Sequence, residues 1–157
     1  MPPRHPLPDN AELAAVFQTI ADYLSLDGAS VYRTLAYQKA AETFREHPTS
    51  VAELALRGDL RTLPGVGEAV EHKVAEYLDS GAIAMLEHLR ASYPEGLLDL
   101  MRVPGVGPKK ARQLWTALGV DDLHSLREAA EQGRVRGLPG RGAKTEANLL
   151  RALAAAE

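Results

Sequence analysis

The pattern apolar-Pro-Gly-x-Gly occurs three times in this chain: Leu63-Pro64-Gly65-Val66-Gly67, Val103-Pro104-Gly105-Val106-Gly107 and Leu138-Pro139-Gly140-Arg141-Gly142. A stretch with helical periodicity follows each copy, namely EAVEHKVAEYLDS, PKKARQLWTAL and AKTEANLLRAL. Glycine lacks Cβ, so both glycines of a turn are expected to reach positive φ and to let another backbone come close. The proline stiffens the entry. The turn amides then point outward at the start of a helix, where unpaired N–H groups and the helix dipole suit an anion such as a phosphate oxygen. A single turn of this kind merely reverses a chain. Three, each opening a helix, point to a repeated phosphate-binding device.

The rest of the composition narrows the fold. Ala, Leu, Glu and Arg abound, aromatic residues are 5% and strand-like alternation is nearly absent, so an all-α protein is expected. There are no cysteines, which excludes disulfides, thiolate zinc sites and iron–sulfur clusters. No apolar run reaches membrane-spanning length and no signal-peptide core opens the chain. A cytoplasmic, nucleoid-associated monomer is expected, with no membrane partner. The five histidines, His5, His47, His72, His88 and His124, have spacings that suit no metal.

Taken in order, residues 1–9 are proline-rich and read as a disordered N-terminus. Asn10 reads as the N-cap of a first helix with Leu13, Val16, Phe17, Ile20 and Leu24 at helical spacing. Asp27-Gly28 breaks it. Ser30 caps a second helix up to Pro48, with Ala36, Ala40 and Phe44 expected on its core stripe, and Ser50 starts a short third helix. After the first glycine turn, Val70, Val74, Tyr77 and Leu78 form the apolar stripe of the next helix, which Gly81 stops. Lys73 falls on the shoulder of that stripe. Short helices are predicted over 83–93 and 97–101, with a domain break at 92/93. In the second half Ala111, Leu114, Trp115 and Leu118 face inward, Trp115 as core rather than as a platform for bases. Asp121 or Asp122 caps the helix LHSLREAAEQ.

The formal net charge is -3, but it averages two unlike parts. Residues 1–96 carry 8 Lys+Arg against 14 Asp+Glu, and residues 97–157 carry 10 against 7. Charge on one face matters more to nucleic acid than the total. Arg102, Lys109, Lys110 and Arg112 surround the second turn without an intervening acid, as Arg134, Arg136, Arg141 and Lys144 do around the third.

The order of these parts resembles the N-terminal 8-kDa domain and fingers subdomain of an X-family (beta-like) DNA polymerase, most of all the bacterial members. The residues that carry the resemblance are Ala36-Tyr37 with Lys39-Ala40-Ala41, the LPGVG turn with Lys73 and Gly81, the GVGPKKA turn and the LPGRGAKTEANLL segment. It implies an 8-kDa-type domain over 10–92 with one helix-hairpin-helix. A fingers-type domain over 93–157 follows with two more. The implied partner is gapped or nicked double-stranded DNA, bound without sequence preference in base-excision or gap-filling repair. Phosphate contacts would come from Gly65, Gly67, Gly105, Gly107, Gly140 and Gly142, with Lys109, Lys110, Arg112, Arg141 and Lys144 adding charge.

The same resemblance makes Lys73 the amine that attacks a 5′-deoxyribose phosphate as a Schiff-base nucleophile, an alternative lyase activity. Arg33, Tyr37 and Arg61 would form the 5′-phosphate pocket. It also implies Na+ or K+ held by the backbone carbonyls of Arg61, Leu63 and Val66, and of Met101, Val103 and Val106. Two departures stand out. Ala69 occupies the place of a family lysine one helical turn before Lys73, and the palm with its metal-binding aspartates is absent. No polymerase activity is expected of this chain, and Mg2+ or Mn2+ enters only if a palm follows. A free-standing DNA-binding adaptor is the non-catalytic alternative. A helix-hairpin-helix glycosylase using Lys109 lacks its downstream aspartate motif.

Overall fold

The computed structural model describes residues 6–138 and 142–155, and over these the protein is all-α. Its elements are α1 (Asn10–Asp27), α2 (Val31–Glu46), α3 (Val51–Leu56), a 3-10 turn (Leu60–Thr62), α4 (Glu68–Ser80) and α5 (Ala84–Ser92). Then come α6 (Gly96–Met101), α7 (Gly107–Leu118), α8 (Leu123–Glu131), a second 3-10 turn (Val135–Gly137) and α9 (Ala143–Ala155). The chain divides into two compact units, Met1–Ala91 and Ser92–Glu157. No helix among the described residues is long and apolar enough to cross a membrane.

In the first unit α1 is the central element, burying Leu13, Phe17, Ile20, Tyr23, Leu24 and Leu26. Phe17 stacks on Tyr37 at 6.1 Å between ring centres and meets Phe44 edge-on at 5.3 Å, which locks α1 to α2. Aromatic pairs of this kind contribute about 0.5–1.5 kcal/mol beyond their buried area. The α2 core stripe is Thr34, Tyr37, Ala40, Ala41 and Phe44. Ala40 and Phe44 are buried as expected, but Ala36 is exposed, since the stripe continues from Ala40 through Tyr37, stacked on Phe17, to Thr34. Val70, Val74 and Leu78 seal the α4 face.

The N-terminal end corrects two further expectations. Asp9, not Asn10, caps α1 by accepting from the Glu12 N–H at 2.8 Å. The Asn10 amide instead donates to the carbonyls of His47 (3.1 Å) and Thr49 (2.7 Å) and accepts from the Val51 N–H (2.9 Å). One side chain thus satisfies three backbone groups of the α2–α3 connection, which helix-start statistics do not encode. Residues 1–5 of the N-terminus expected to be disordered lie outside the described residues, whereas Asp9 at its end is fixed by the cap. Pro6, Leu7 and Pro8 line a small pocket with Glu12, Tyr77, Leu78 and Gly81. There the Tyr77 hydroxyl donates to Glu12 at 2.6 Å, and burial together with that carboxylate pushes the phenol up to about 12.

The second unit packs Leu97, Leu100, Ala111, Leu114, Val120, Leu126, Ala129, Leu149 and Leu153. Gly96 is required there by close approach, since a Cβ on it would sit 2.1 Å from the Asp121 carbonyl oxygen. Asp122 caps α8, its carboxylate accepting from the Ser125 N–H at 2.7 Å while Ser125 reaches back. That hydrogen bond holds the Asp122 carboxyl below the usual carboxylate range. Trp115 is half-buried and tilted against Tyr93 at 5.7 Å, not fully in the core.

Candidate nucleic-acid interface

The first two glycine turns are built alike. In the first, the Leu63 N–H donates to the Leu60 carbonyl (3.1 Å) and the Val66 N–H to the Leu63 carbonyl (3.2 Å). In the second, forty residues on, Val103 donates to Leu100 (3.1 Å) and Val106 to Val103 (3.0 Å). Leu63, Val66, Val103 and Val106 are 5–8% exposed, so the apolar residues of each turn anchor it in the core. Pro64, Gly65, Gly67 and Ala69 face outward, as do Pro104, Gly105 and Lys109. The third turn begins in the same way, with Leu138 donating to Val135 at 3.1 Å. Gly140 and Arg141 lie outside the described residues, whereas Gly142 and Lys144 are exposed.

The glycines differ in what they do. Gly65, Gly105 and Gly107 have φ of 76°, 87° and 67°, the left-handed region that an L side chain resists. Gly67, expected to share it, instead adopts φ -104° and ψ -171° as the N-cap of α4. A Cβ added to Gly67 would meet nothing within 4 Å. Neither backbone strain nor packing inside the protein therefore demands glycine at 67.

Helix capping differs along the chain. The N-terminus of α1 is capped by Asp9, of α2 by Ser30, of α3 by Ser50 and of α8 by Asp122. That of α5 is capped by Glu76, which accepts from the Ala84 N–H at 2.7 Å. The two helices that follow the described glycine turns, α4 and α7, have no side-chain cap, and the six-residue α6 also lacks one. The first intrahelical bond of α4 runs from Glu71 to Gly67, leaving the N–H groups of Glu68 and Ala69 open to solvent. On α7, Lys109 is exposed and Lys110 half-exposed at the same end. The turn hydrogen bonds do not use the carbonyls of Arg61, Val66, Met101 and Val106, and those of Leu63 and Val103 accept only one bond each. A carbonyl has two lone pairs, so these oxygens keep acceptor capacity free. No group of His, Asp or Glu side chains among the described residues could hold a metal.

Around Lys73 the residues come together in part. Lys73 is half-buried, and its Nζ lies 5.8 Å from the centre of the Tyr37 ring. Tyr37 is 4% exposed and belongs to the core, so at most the edge of its phenol can serve a ligand. Arg33 lies one turn before Tyr37 on α2, is exposed, and directs its guanidinium to the Met85 sulfur at 3.3 Å. Arg61 is exposed in the first 3-10 turn and makes no hydrogen bond or ion pair to Tyr37 or Lys73. Arg112 is half-buried. Arg136, counted above with the basic residues of the third turn, donates through its backbone N–H (2.9 Å) and guanidinium (2.8 Å) to the buried Glu146. Its charge is therefore met inside the unit, which the spacing of basic residues alone did not indicate.

Sequence reasoning missed two residues that brace the first turn. The Thr43 hydroxyl donates to the Pro64 carbonyl at 3.0 Å, and the Lys39 Cβ lies 3.5 Å from where a Gly65 Cβ would be. Their i, i+4 spacing put them on one face of α2, but nothing in it named the turn as their partner.

Residues 8–83 match the family model described as Helix-hairpin-helix domain, and residues 97–155 match SAM-like Helix-hairpin-helix tandem. The chain is a helix-hairpin-helix protein. It is 38% identical over 142 residues to the DNA polymerase/3'-5' exonuclease PolX of Bacillus subtilis, covering 90% of this chain and 24% of that protein. It is 29% identical over 122 residues to DNA polymerase lambda of Rattus norvegicus, covering 77% of this chain and 20% of that one. A third likeness, 31% over 88 residues, is to the Holliday junction branch migration complex subunit RuvA of Syntrophobacter fumaroxidans, covering 56% and 45%. The chain thus spans about a quarter of the PolX length. It corresponds to the N-terminal helix-hairpin-helix region of the X-family polymerases.

Proposed function

We propose that this chain is the DNA-binding part of an X-family polymerase, holding gapped or nicked duplex through main-chain contacts to phosphate. The observation that carries this reading is that both helices following a described glycine turn lack a side-chain cap. α4 and α7 each follow a glycine turn and carry no side-chain cap, whereas α1, α2, α3, α5 and α8 close theirs with an acceptor of their own. Phosphate contacts carry no base information, so preference between sequences should be slight.

Lys109, Lys110, Arg112 and Lys144, with Arg141, add charge in the more basic half, and Gly140 and Gly142 repeat the turn there. In the acidic first half the unused carbonyls support a bound Na+ or K+, with Arg61, Leu63 and Val66 as its holders; Met101, Val103 and Val106 form the equivalent set. Such an ion would offset repulsion between the protein and the strand.

The test is titration of a short-gap duplex with and without a 5′-phosphate, repeated over a range of salt. Six neutralised phosphates would give a slope of log K against log salt of roughly -5, at about -0.9 per phosphate. A slope near zero would remove the reading. A four-way junction belongs in the same series: tighter binding to it than to the gap would favour a branched substrate instead.

A second reading is the 5′-deoxyribose-phosphate lyase. It is supported by the half-buried Lys73 beside Tyr37, with Arg33 one turn away on α2. The Lys73 amine would add to the C1′ aldehyde with loss of water, and β-elimination would then release the 5′-phosphate strand end. Borohydride trapping on a 5′-deoxyribose-phosphate substrate separates the two readings. An adduct that disappears in Lys73→Ala supports the lyase. Full binding without an adduct leaves a non-catalytic DNA-binding module.

A further inference from the structure

The repeat permits a comparison within one chain. The forty-residue offset that pairs Leu63 with Val103 and Gly67 with Gly107 also pairs Ala69 with Lys109 and Val70 with Lys110. Where the second hairpin carries two lysines on the first turn of its helix, the first carries an alanine and a buried valine. The charged residues of the α4 first turn are Glu68 and Glu71. A phosphate at the α4 amides would therefore face acids and find no cation on the first turn of that helix.

α2 supplies one from outside. It braces the hairpin at two positions one helical turn apart: Thr43 donates to the Pro64 carbonyl at 3.0 Å, and the Lys39 Cβ lies 3.5 Å from the position of a Gly65 Cβ. The root of Lys39 is thus fixed on the turn whose glycine admits the strand. Lys39 is exposed and makes no hydrogen bond or ion pair among the described residues. Its acidic neighbour on the same helix, Glu42, three residues on, is exposed and does not engage it. A lysine stem spans roughly 5 Å from Cβ to Nζ, enough for the ammonium to reach beyond Gly65.

We propose that Lys39 is a DNA-binding residue, the phosphate-facing cation of the first hairpin, doing from α2 what Lys109 does from within α7. The assignment rests on the hairpin reading above and extends it to a residue outside the glycine repeat. It gives α2 a role in binding beyond its place in the core. It also explains how the acidic unit can hold a strand although the first turn of its own hairpin helix offers no cation.

The test separates charge from packing and the residue from the hairpin. Lys39→Met keeps an aliphatic stem against Gly65 and removes the charge. It should weaken binding of a short-gap duplex by about three- to tenfold at moderate salt and make the salt slope shallower by about one. Adding Ala69→Lys to that variant should restore both, because it rebuilds the arrangement of the second hairpin. Gly67→Val in an otherwise unchanged chain is the control for the hairpin. Wild-type affinity and slope in Lys39→Met, with binding lost in Gly67→Val, would overturn the role of Lys39 and leave the hairpin standing. Wild-type behaviour in both would overturn the first hairpin as a binding element, and Lys39 with it.

Discussion

The ammonium of Lys73 stands over the ring of Tyr37 at 5.8 Å, and the same ring is stacked on Phe17. Core and candidate site therefore share one side chain. Tyr37→Phe keeps the ring and its stack and removes only the hydroxyl. It should change stability by less than about 1 kcal/mol in urea unfolding, while reducing the preference for a 5′-phosphorylated gap over an unphosphorylated one. Tyr37→Ala should instead cost about 3–5 kcal/mol by opening the α1–α2 core. An unchanged phosphate preference in Tyr37→Phe would place the hydroxyl outside the pocket.

Gly67 offers a cleaner probe of the interface than Gly107. Its backbone is extended and a Cβ there meets nothing, whereas Gly107 has φ 67°. Gly67→Val should fold with a loss below about 1 kcal/mol, since glycine is only a moderate N-cap, yet lose most affinity for gapped DNA by keeping the strand off the α4 amides. Gly107→Val should lose both stability and affinity, because it adds backbone strain of about 1–3 kcal/mol. Calorimetry and DNA titration of the two variants side by side check this.

The brace from Thr43 to the Pro64 carbonyl should matter locally. Thr43→Val preserves shape and removes the donor, at a cost of about 0.5–1.5 kcal/mol. Faster hydrogen exchange of the Val66 amide, with the amides of α1 unaffected, is the expected signature.

Acid should act on the second unit through Glu146. The Arg136 guanidinium holds the Glu146 carboxyl below its usual range, and the Arg136 backbone N–H adds to the effect. A depressed carboxylate contributes stability that is present above its unfolded pKa, near 4.3, and lost as pH falls through the lower folded value. Melting of the second unit should thus fall off below about pH 4.5. Glu146→Gln should lower the melting temperature at neutral pH and flatten that acid limb, leaving only the weaker contribution of Asp122, whose carboxyl is shifted in the same direction. Thermal melts between acid and neutral pH would show whether it does.

The sequence revealed elements and missed partners. Helical periodicity, proline stops and serine caps placed every helix of the two units, because those signals act over a few residues. Asp9 and Asn10 are both good caps by residue type, and only the distant backbone of His47, Thr49 and Val51, which engages Asn10, leaves the capping to Asp9. Ala36 was turned inward because α2 carries small residues on several faces; the Phe17 stack, remote in sequence, sets the register. At the site, the glycine repeat was legible, but the different backbone of Gly67 was not, since glycine permits either conformation. In sequence Lys39 is only part of the Lys39-Ala40-Ala41 motif, and its place against the turn comes from the packing of α2; Arg136 reads as one of the basic residues of the third turn, whereas Glu146 takes its charge.

The bare ends of α4 and α7 carry one more consequence. A serine or aspartate at such a position stabilises a helix by about 0.5–2 kcal/mol, and neither helix has that contribution. A phosphate oxygen arriving from outside would be the missing acceptor, so part of the free energy of association goes into ordering the first turn of each helix. The protein would then hold itself together better when loaded than when empty, and its melting point would report occupancy of the nucleic acid directly.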